Sequence, residues 1–443
     1  MKHILALALS LLAGAASAQI DIQTSTSPGG IDVWLVETGD IPFVALEIRI
    51  EGGASLDREG RRGAVNLMTG LLEEGSGDMD AQTFQTAREG LAATFGYAAY
   101  DDSIALSARF LTENADEAVA LFRQSLVDPT FDDAAIERVR AQVLAGLRSD
   151  AQSPNAIASE TLYAAAFGDH PYGSDLSGTP ESVAALTRED IVQAWRDTLV
   201  RGRVHVGAVG DIDAAALGDL VDDLLGPLPA TGPDLPPDTV FDVGGGVTVV
   251  DFPTPQAVAL FGQPGIERDD DDFFAAYVLN HILGGGGFES RLMTEVREKR
   301  GLTYGVGTYL VPKDHAPIIL GQVASANDRI GDAIAVIRDE WARIARDGVT
   351  QEELDAAKTY ITGEYPLRFD GNGPIADILV GMQTTDLTPE YVTERNSFVE
   401  AVTLEDVNRV AAELLRPDEL RFVVVGQPEG LETGPLPDTA GTE

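Results

Sequence analysis

Residues 226–237 read Gly-Pro-Leu-Pro, then Gly-Pro-Asp-Leu-Pro-Pro after a short spacer. No helix and no central strand survives that density of proline, because each ring removes a backbone donor and fixes φ. The break falls near the middle of a 443-residue chain, and the halves on either side look like copies of each other. In Leu186-Thr187-Arg188-Glu189-Asp190-Ile191, Thr187 is a helix N-cap with Asp190 three positions on; Thr403 and Asp406 repeat that arrangement in Val402-Thr403-Leu404-Glu405-Asp406-Val407. Each is a capping-box-like start. Each helix then leads into an apolar strand, 204–209 in one half and 420–425 in the other. A second pair of long helices, starting near 133 and 351, stands at about the offset that separates Thr187 from Thr403. A repeat of this length is a duplicated domain and not a solenoid. The expected organisation is 19–228 for the first domain, 229–240 for a Pro-rich linker, 241–430 for the second domain and 431–443 for a disordered tail.

Within the first half, strand signals come before helices. Residues 31–36 and 44–50 alternate with period two, and 95–100 with 103–110 form a hairpin-like pair. Amphipathic helices are expected over 84–93, 115–127 and 134–148. Strands grouped with helices on one side predict an α+β sandwich in each half.

Composition narrows the function. The apolar fraction of 44% is that of a globular protein. Thirty-one basic residues against 72 acidic ones give a formal charge of −41, which argues against nucleic acid as a partner. A solvated acidic surface accounts for this charge; a negative interior that attracts basic peptides is the functional alternative. Residues 1–18 read as a secretory signal: Lys2 and His3, an apolar run over 4–12, and Ala16-Ser17-Ala18 as a small-residue cleavage site before Gln19. The apolar run is too short to span a bilayer, and nothing later is long enough, so a periplasmic or secreted protein is expected. With no cysteine in the chain, neither a thiolate metal site nor a cysteine nucleophile is possible.

The chemically richest stretch is Gly284-Gly285-Gly286-Gly287-Phe288-Glu289-Ser290-Arg291-Leu292, running on through Arg297-Glu298-Lys299-Arg300-Gly301-Leu302-Thr303-Tyr304-Gly305-Val306. A glycine run opens a helix, the helix ends on a basic cluster, a glycine stops it and a strand begins with tyrosine. The glycines lack the preceding strand and the following Gly-Lys-Ser/Thr of a phosphate loop. Their simpler role is a sharp turn between two helices. Arg297 and Tyr304 are both hydrogen-bond donors that can point at a peptide carbonyl. The structural alternative is an ion pair on the helix for Arg297 and a packed strand position for Tyr304.

This stretch resembles the C-terminal half of the pitrilysin/insulinase-type (M16) zinc peptidases, whose arginine and tyrosine sit at that spacing. Residues 60–76 look like the first helix of the same family, where a glycine and two small or apolar residues precede His-x-x-Glu-His. Laid over this chain, the first histidine falls on Asn66, the glutamate on Thr69 and the second histidine on Gly70. The further glutamate ligand of a later family helix falls near Gly146. Asparagine is a poor zinc ligand, threonine is no carboxylate base, and glycine has no ligand atom. The remaining histidines of the mature chain, His170, His205, His281 and His315, are too far apart in sequence to share a helix face. His205 is expected as a satisfied core residue, His170 as structural in the turn before Pro171-Tyr172-Gly173, and His281 as packed or hydrogen-bonded. Asp269 to Asp272 do not have the spacing of a calcium loop and read as the acidic start of a helix over 273–283.

The resemblance covers about 30–427 and implies two homologous LuxS/metallohydrolase-like sandwiches forming a clamshell. It is closest in kind to bacterial M16B and mitochondrial processing peptidase-like subunits that lack the zinc motif and keep the arginine–tyrosine pair. It implies a catalytically incomplete subunit with no cofactor of its own. Arg297 and Tyr304 would donate to the substrate carbonyl and developing oxyanion. Gly284, Gly285, Gly286 and Gly287 would touch the peptide, and a zinc-bearing sister subunit would complete a heterodimer. The alternative within the same fold is a scaffold or peptide-binding module with no protease partner.

Overall fold

A computed structural model describes residues 20–434 except 432; the signal reading over 1–18 and most of the tail reading over 431–443 lie outside the described residues. The first half contains strands β1 (Gln23–Thr26), β2 (Asp32–Glu37), β3 (Phe43–Glu51), a tiny hairpin β4 (Gly75–Ser76) and β5 (Met79–Asp80), β6 (Thr94–Ala99), β7 (Ser103–Leu111) and β8 (Val204–Gly210). Its helices are α1 (Ala64–Thr69), α2 (Ala81–Gly90), α3 (Ala115–Val127), α4 (Asp133–Asp150), α5 (Pro154–Phe167), α6 (Pro180–Ala185), α7 (Arg188–Thr198) and α8 (Ala214–Leu225). The second half contains β9 (Gly246–Asp251), β10 (Gln256–Pro264), β11 (Val306–Lys313), β12 (Ala316–Ala326) and β13 (Arg421–Gly426). Its helices are α9 (Phe273–Asn280), α10 (Ile330–Asp347), α11 (Gln351–Glu364), α12 (Asn372–Gln383), α13 (Tyr391–Ala401) and α14 (Leu404–Leu414).

The duplication is visible in the sheets. The first has order β1-β2-β8-β3-β7-β6 and the second β11-β12-β10-β13-β9. Read from β9, the second repeats the first from β2 onward. In both, the late strand inserts parallel to the first one, β8 beside β2 and β13 beside β9. The capping boxes that mark the repeat are formed: Thr187 and Asp190 bond reciprocally, as do Thr403 and Asp406. Those caps fix where α7 and α14 start, and hence where each chain turns back into its sheet.

One face of each sheet is buried by its own helices. Strand residues such as Leu35, Ile48 and Leu106 meet Phe84, Leu121 and Phe122 in the first core. Phe261 and Phe422 meet Trp341 and Ile337 in the second. The other face is covered by an exchange. Helix α5 of the first half packs on β10 and β13, where Ala158, Leu162 and Phe167 join Ile318, Val423 and Val425. Its counterpart α12 packs on β3 and β8, where Ala376 and Leu379 join Ala45 and Val209. Polar contacts pin the same seam: Arg49 pairs with Asp377 at 3.1 Å, and Gln383 donates to the Val206 carbonyl at 2.9 Å. A further contact joins the halves where Lys313 pairs with Asp101 at 2.6 Å and lies 4.0 Å over the Tyr172 ring. The two α+β sandwiches therefore close on each other along a seam to which each contributes one helix.

The Pro-rich segment runs between the halves without regular structure and is tied down by its carbonyls: Pro229 accepts from the Arg201 amide at 2.9 Å, and Pro237 lies 3.1 Å from His170 Nε2. Several boundaries differ from expectation. Helix α2 runs over Ala81–Gly90 and not 84–93, because Asp80 caps it by accepting from Thr83 and Ala92 takes a left-handed turn (φ 51). The helix expected over 273–283 stays α-helical only to Asn280, then widens to a π-turn over His281–Gly285. Of the tail expected as disordered from 431, Thr433 and Gly434 are ordered against the edge of the second sheet: β9 is an edge strand, and its unpaired backbone groups engage Thr433 and Gly434 at 3.1 and 2.8 Å. Among the described residues no helix is long and apolar enough to cross a membrane.

Candidate functional site

The glycine run, Arg297 and Tyr304 form one corner of the second half. Helical structure resumes after Ser290 as a π-helical segment over Met293–Glu298. Its inner face is buried through Leu292, Met293 and Val296. Past its end Gly301 turns left-handed (φ +59), and the chain is locked by two backbone bonds, Gly301 to the Arg297 carbonyl at 2.7 Å and Leu302 to the Val296 carbonyl at 2.9 Å. Leu302 and Thr303 then plug into the core, and the Thr303 hydroxyl lies 2.7 Å from the Ala324 carbonyl while accepting from the Gly305 amide at 3.0 Å. The backbone on both sides of Tyr304 is therefore pinned, and β11 starts only at Val306. The phenol itself is 86% exposed.

Arg297 is placed with the same economy. Its neighbours Lys299 and Arg300 share the Glu295 carboxylate at 2.5 and 2.7 Å. Arg297 makes no ion pair among the described residues; its guanidinium lies 4.8 Å over the ring of Phe288, which is 66% exposed. A cation resting on an exposed aromatic face keeps its in-plane donors available. Among the described residues Arg297 has no ion pair on its helix, and Tyr304 is not packed in a strand. Phe288 was not singled out in the sequence; its signal was an aromatic residue directly after the glycine run.

The four glycines do different things. A Cβ at Gly284 would stand 2.5 Å from Thr308 Oγ1 and 2.9 Å from the Thr308 backbone nitrogen, so this position lets the π-turn lie directly on β11. Gly287 has φ +58 and open space around it, which is the sharp turn expected between the two helical segments. Gly284→Ala should therefore destabilise the chain by about 1–3 kcal/mol through overpacking. Gly287→Ala should cost about 1 kcal/mol, from backbone strain alone. Urea denaturation of the two variants checks this, and an unaltered midpoint for Gly284→Ala would contradict the packing role.

In the first half, α1 is built as a well-anchored helix without its chemistry. Asp57 accepts from the Gly63 and Val65 amides at 2.8 and 2.9 Å. Burial pushes its carboxyl up to about 6, against the pull of those bonds and of Arg62. Thr69 is buried and its hydroxyl bonds the Asn66 carbonyl at 2.9 Å. Gly70 ends the helix, where a Cβ would come within 3.1 Å of Val139 on α4. Gly146 lies two turns further along α4 with nothing around it. Helices α1 and α4 are thus paired, while Asn66, Thr69, Gly70 and Gly146 present no histidine, thiolate or carboxylate. Zinc sites require those donor types, so these residues do not fit zinc. Among the described residues no group of three or more His, Cys, Asp or Glu side chains could hold a metal ion.

The four histidines are engaged elsewhere. His170 accepts the Tyr172 amide on Nδ1, leaving Nε2 to donate to Pro237. His281 packs against the Tyr360 ring at 5.1 Å, and burial lowers its pKa. His315 Nδ1 lies 3.1 Å from Asp238. His205 departs from expectation: it is half-buried rather than a core residue, on the face of β8 that α12 covers further along, and bonded to Glu51 at 2.6 Å. The strand alternation is the reason, since Val206 and Ala208 take the core-facing positions.

Two family profiles match the chain in succession. Residues 33–180 match "Insulinase (Peptidase family M16)" and residues 185–361 match "Peptidase M16 inactive domain". The chain is 26% identical over 368 residues to a Helicobacter pylori protein named "Non-peptidase homolog YmxG", covering 83% of this chain and 85% of that one. It is 23% identical over 412 residues to the "Uncharacterized zinc protease YmxG" of Bacillus subtilis, covering 90% and 96%. Among solved structures, the peptidase M16 inactive domain from Pseudomonas fluorescens superposes with a TM-score of 0.86 at 29% identity, over 94% of this chain and all of that one.

Proposed function

Since this chain belongs to the M16 peptidase family as a catalytically incomplete member, we propose that it is the peptide-gripping subunit of a two-chain metallopeptidase. The observation that carries the reading is the contrast between the halves. Tyr304 stands exposed and Arg297, half-buried on the Phe288 ring, has no ion pair among the described residues, while Asn66, Thr69, Gly70 and Gly146 offer no metal donors. Donors held where charge develops stabilise the oxyanion of peptide cleavage, and both side chains are of the right kind. Arg297 and Tyr304 would hydrogen-bond the carbonyl of the scissile peptide, and the glycine run would border the bound chain. The metal, base and attacking water belong in this proposal to a zinc-bearing sister of the same fold. Two such clamshells closing on each other would bury roughly 2,000 Å² or more. The pattern of residues 1–18 adds export to the periplasm or cell exterior.

The name of the Helicobacter pylori relative favours one other reading, a scaffold or peptide-binding protein with no protease partner. Affinity capture of the tagged native chain separates the two. The proposal expects a His-x-x-Glu-His-bearing M16 protein in near-equal amount; its absence from every capture would favour the scaffold.

A further inference from the structure

Beside the glycine run, the second half forms a solvent-open cavity of about 570 Å³ between α9, β11, α12 and α13, with Gly285 in its wall. This volume falls in the range of small-ligand sites and suits one or two amino-acid residues. Much of the wall is aromatic, with Phe274, Tyr277, Tyr309 and Tyr365. Arginine supplies the charge. Arg268 stacks over Phe273 at 4.3 Å and donates one bond, to the Tyr391 hydroxyl at 3.0 Å. Arg395 is only 4% exposed and donates to the Ile361 carbonyl at 3.0 Å, the Asn396 side-chain oxygen at 3.2 Å and the Tyr277 hydroxyl at 3.3 Å.

Among the described residues, neither Arg268 nor Arg395 has a carboxylate within ion-pair distance, although the chain carries 72 acidic residues to 31 basic ones. The single carboxylate in the wall, Asp377, faces Arg49 at 3.1 Å, and the third arginine, Arg368, pairs with Glu364 at 2.8 Å. A buried guanidinium without a counter-charge is costly, and an incoming anion relieves that cost. Asn280 contributes an independent sign: its Oδ1 is buried without a hydrogen-bond partner, while its amide nitrogen reaches the Thr308 carbonyl at 3.4 Å. The cavity thus offers cationic donors and an aromatic wall, with an unpartnered acceptor buried in that wall.

We propose that this cavity binds the free carboxylate end of a peptide whose last residue is apolar. The carboxylate would face Arg268 and Arg395, and the apolar side chain the aromatic wall. The inference concerns this chain by itself and needs no partner subunit, so its failure leaves the two-chain proposal standing.

Calorimetric titration of the isolated chain tests it, with an acetylated tetrapeptide ending in phenylalanine as the free acid and as the C-terminal amide. Saturable binding of the acid, at least tenfold tighter than the amide, is expected. Arg268→Gln should weaken the acid by tenfold or more and leave the amide unchanged, and the acid–amide comparison on the unaltered protein holds even if that variant unfolds. Equal binding of acid and amide, or no binding of either, would overturn the assignment. Free phenylalanine binding more tightly than the acid peptide would overturn the peptide part in favour of a free amino acid.

Discussion

Arg297→Ala and Tyr304→Phe are each expected to lower kcat of the assembled two-chain peptidase by on the order of 10²–10³, the usual loss when one oxyanion-type donor is removed. The two side chains are attached to backbone that other residues hold, so neither change should unfold the subunit. Among the described residues, removing the Tyr304 hydroxyl breaks no bond, since the ring is 86% exposed and its turn is held by Thr303 and Gly305. Removing Arg297 loses its contact with the Phe288 ring, worth about 0.5–1 kcal/mol at an exposed site. Arg300→Ala is the control on the same helix end. Its guanidinium is held by the Glu295 carboxylate, which Lys299 also pairs, and donates to the Glu295 carbonyl at 2.6 Å, so the loss is one partly exposed ion pair, at most about 1 kcal/mol, and one hydrogen bond of about 1 kcal/mol. Turnover measured at matched complex concentration should separate Arg297 and Tyr304 from Arg300. Equal activity in all three, with assembly intact, would leave the pair without a part in the chemistry.

What could be read from the sequence was what local chemistry determines. Capping boxes at Thr187 and Thr403 depend on four consecutive residues, and both are formed where the repeat places them. The alternation of β3 and β7 and the span of α3 follow from side-chain period alone. The exchange of α5 and α12 was not legible, because an apolar helix does not state which sheet it covers. Ala376 and Leu379 carry the same signal whether they face their own strands or those around Val209. His205 was misplaced for a related reason: a strand of apolar neighbours conceals which of its two faces a residue takes, and the partner, Glu51, lies 154 positions away. At the candidate site, the spacing of Arg297 and Tyr304 was visible. The exposure of Tyr304, the Phe288 shelf under Arg297 and the capture of Glu295 by Lys299 and Arg300 depended on packing that spacing does not encode. The glycine run read as a turn, and only the approach of Gly284 to Thr308 shows that part of it is packing.

The other large effect expected is in metal binding. Helices α1 and α4 are paired through Gly70 and Val139, but Thr69 is turned back onto its own helix and neither Gly70 nor Gly146 carries a side chain. A lone asparagine at position 66 cannot hold zinc against dilution. The most direct test of the account is therefore zinc content and peptidase activity, measured on the purified chain alone and again on its complex with a zinc-bearing M16 sister. The account predicts far less than one zinc per isolated chain and no cleavage, against one zinc per heterodimer and chelator-sensitive cleavage. One tightly held zinc per isolated chain, with chelator-sensitive proteolysis, would contradict it.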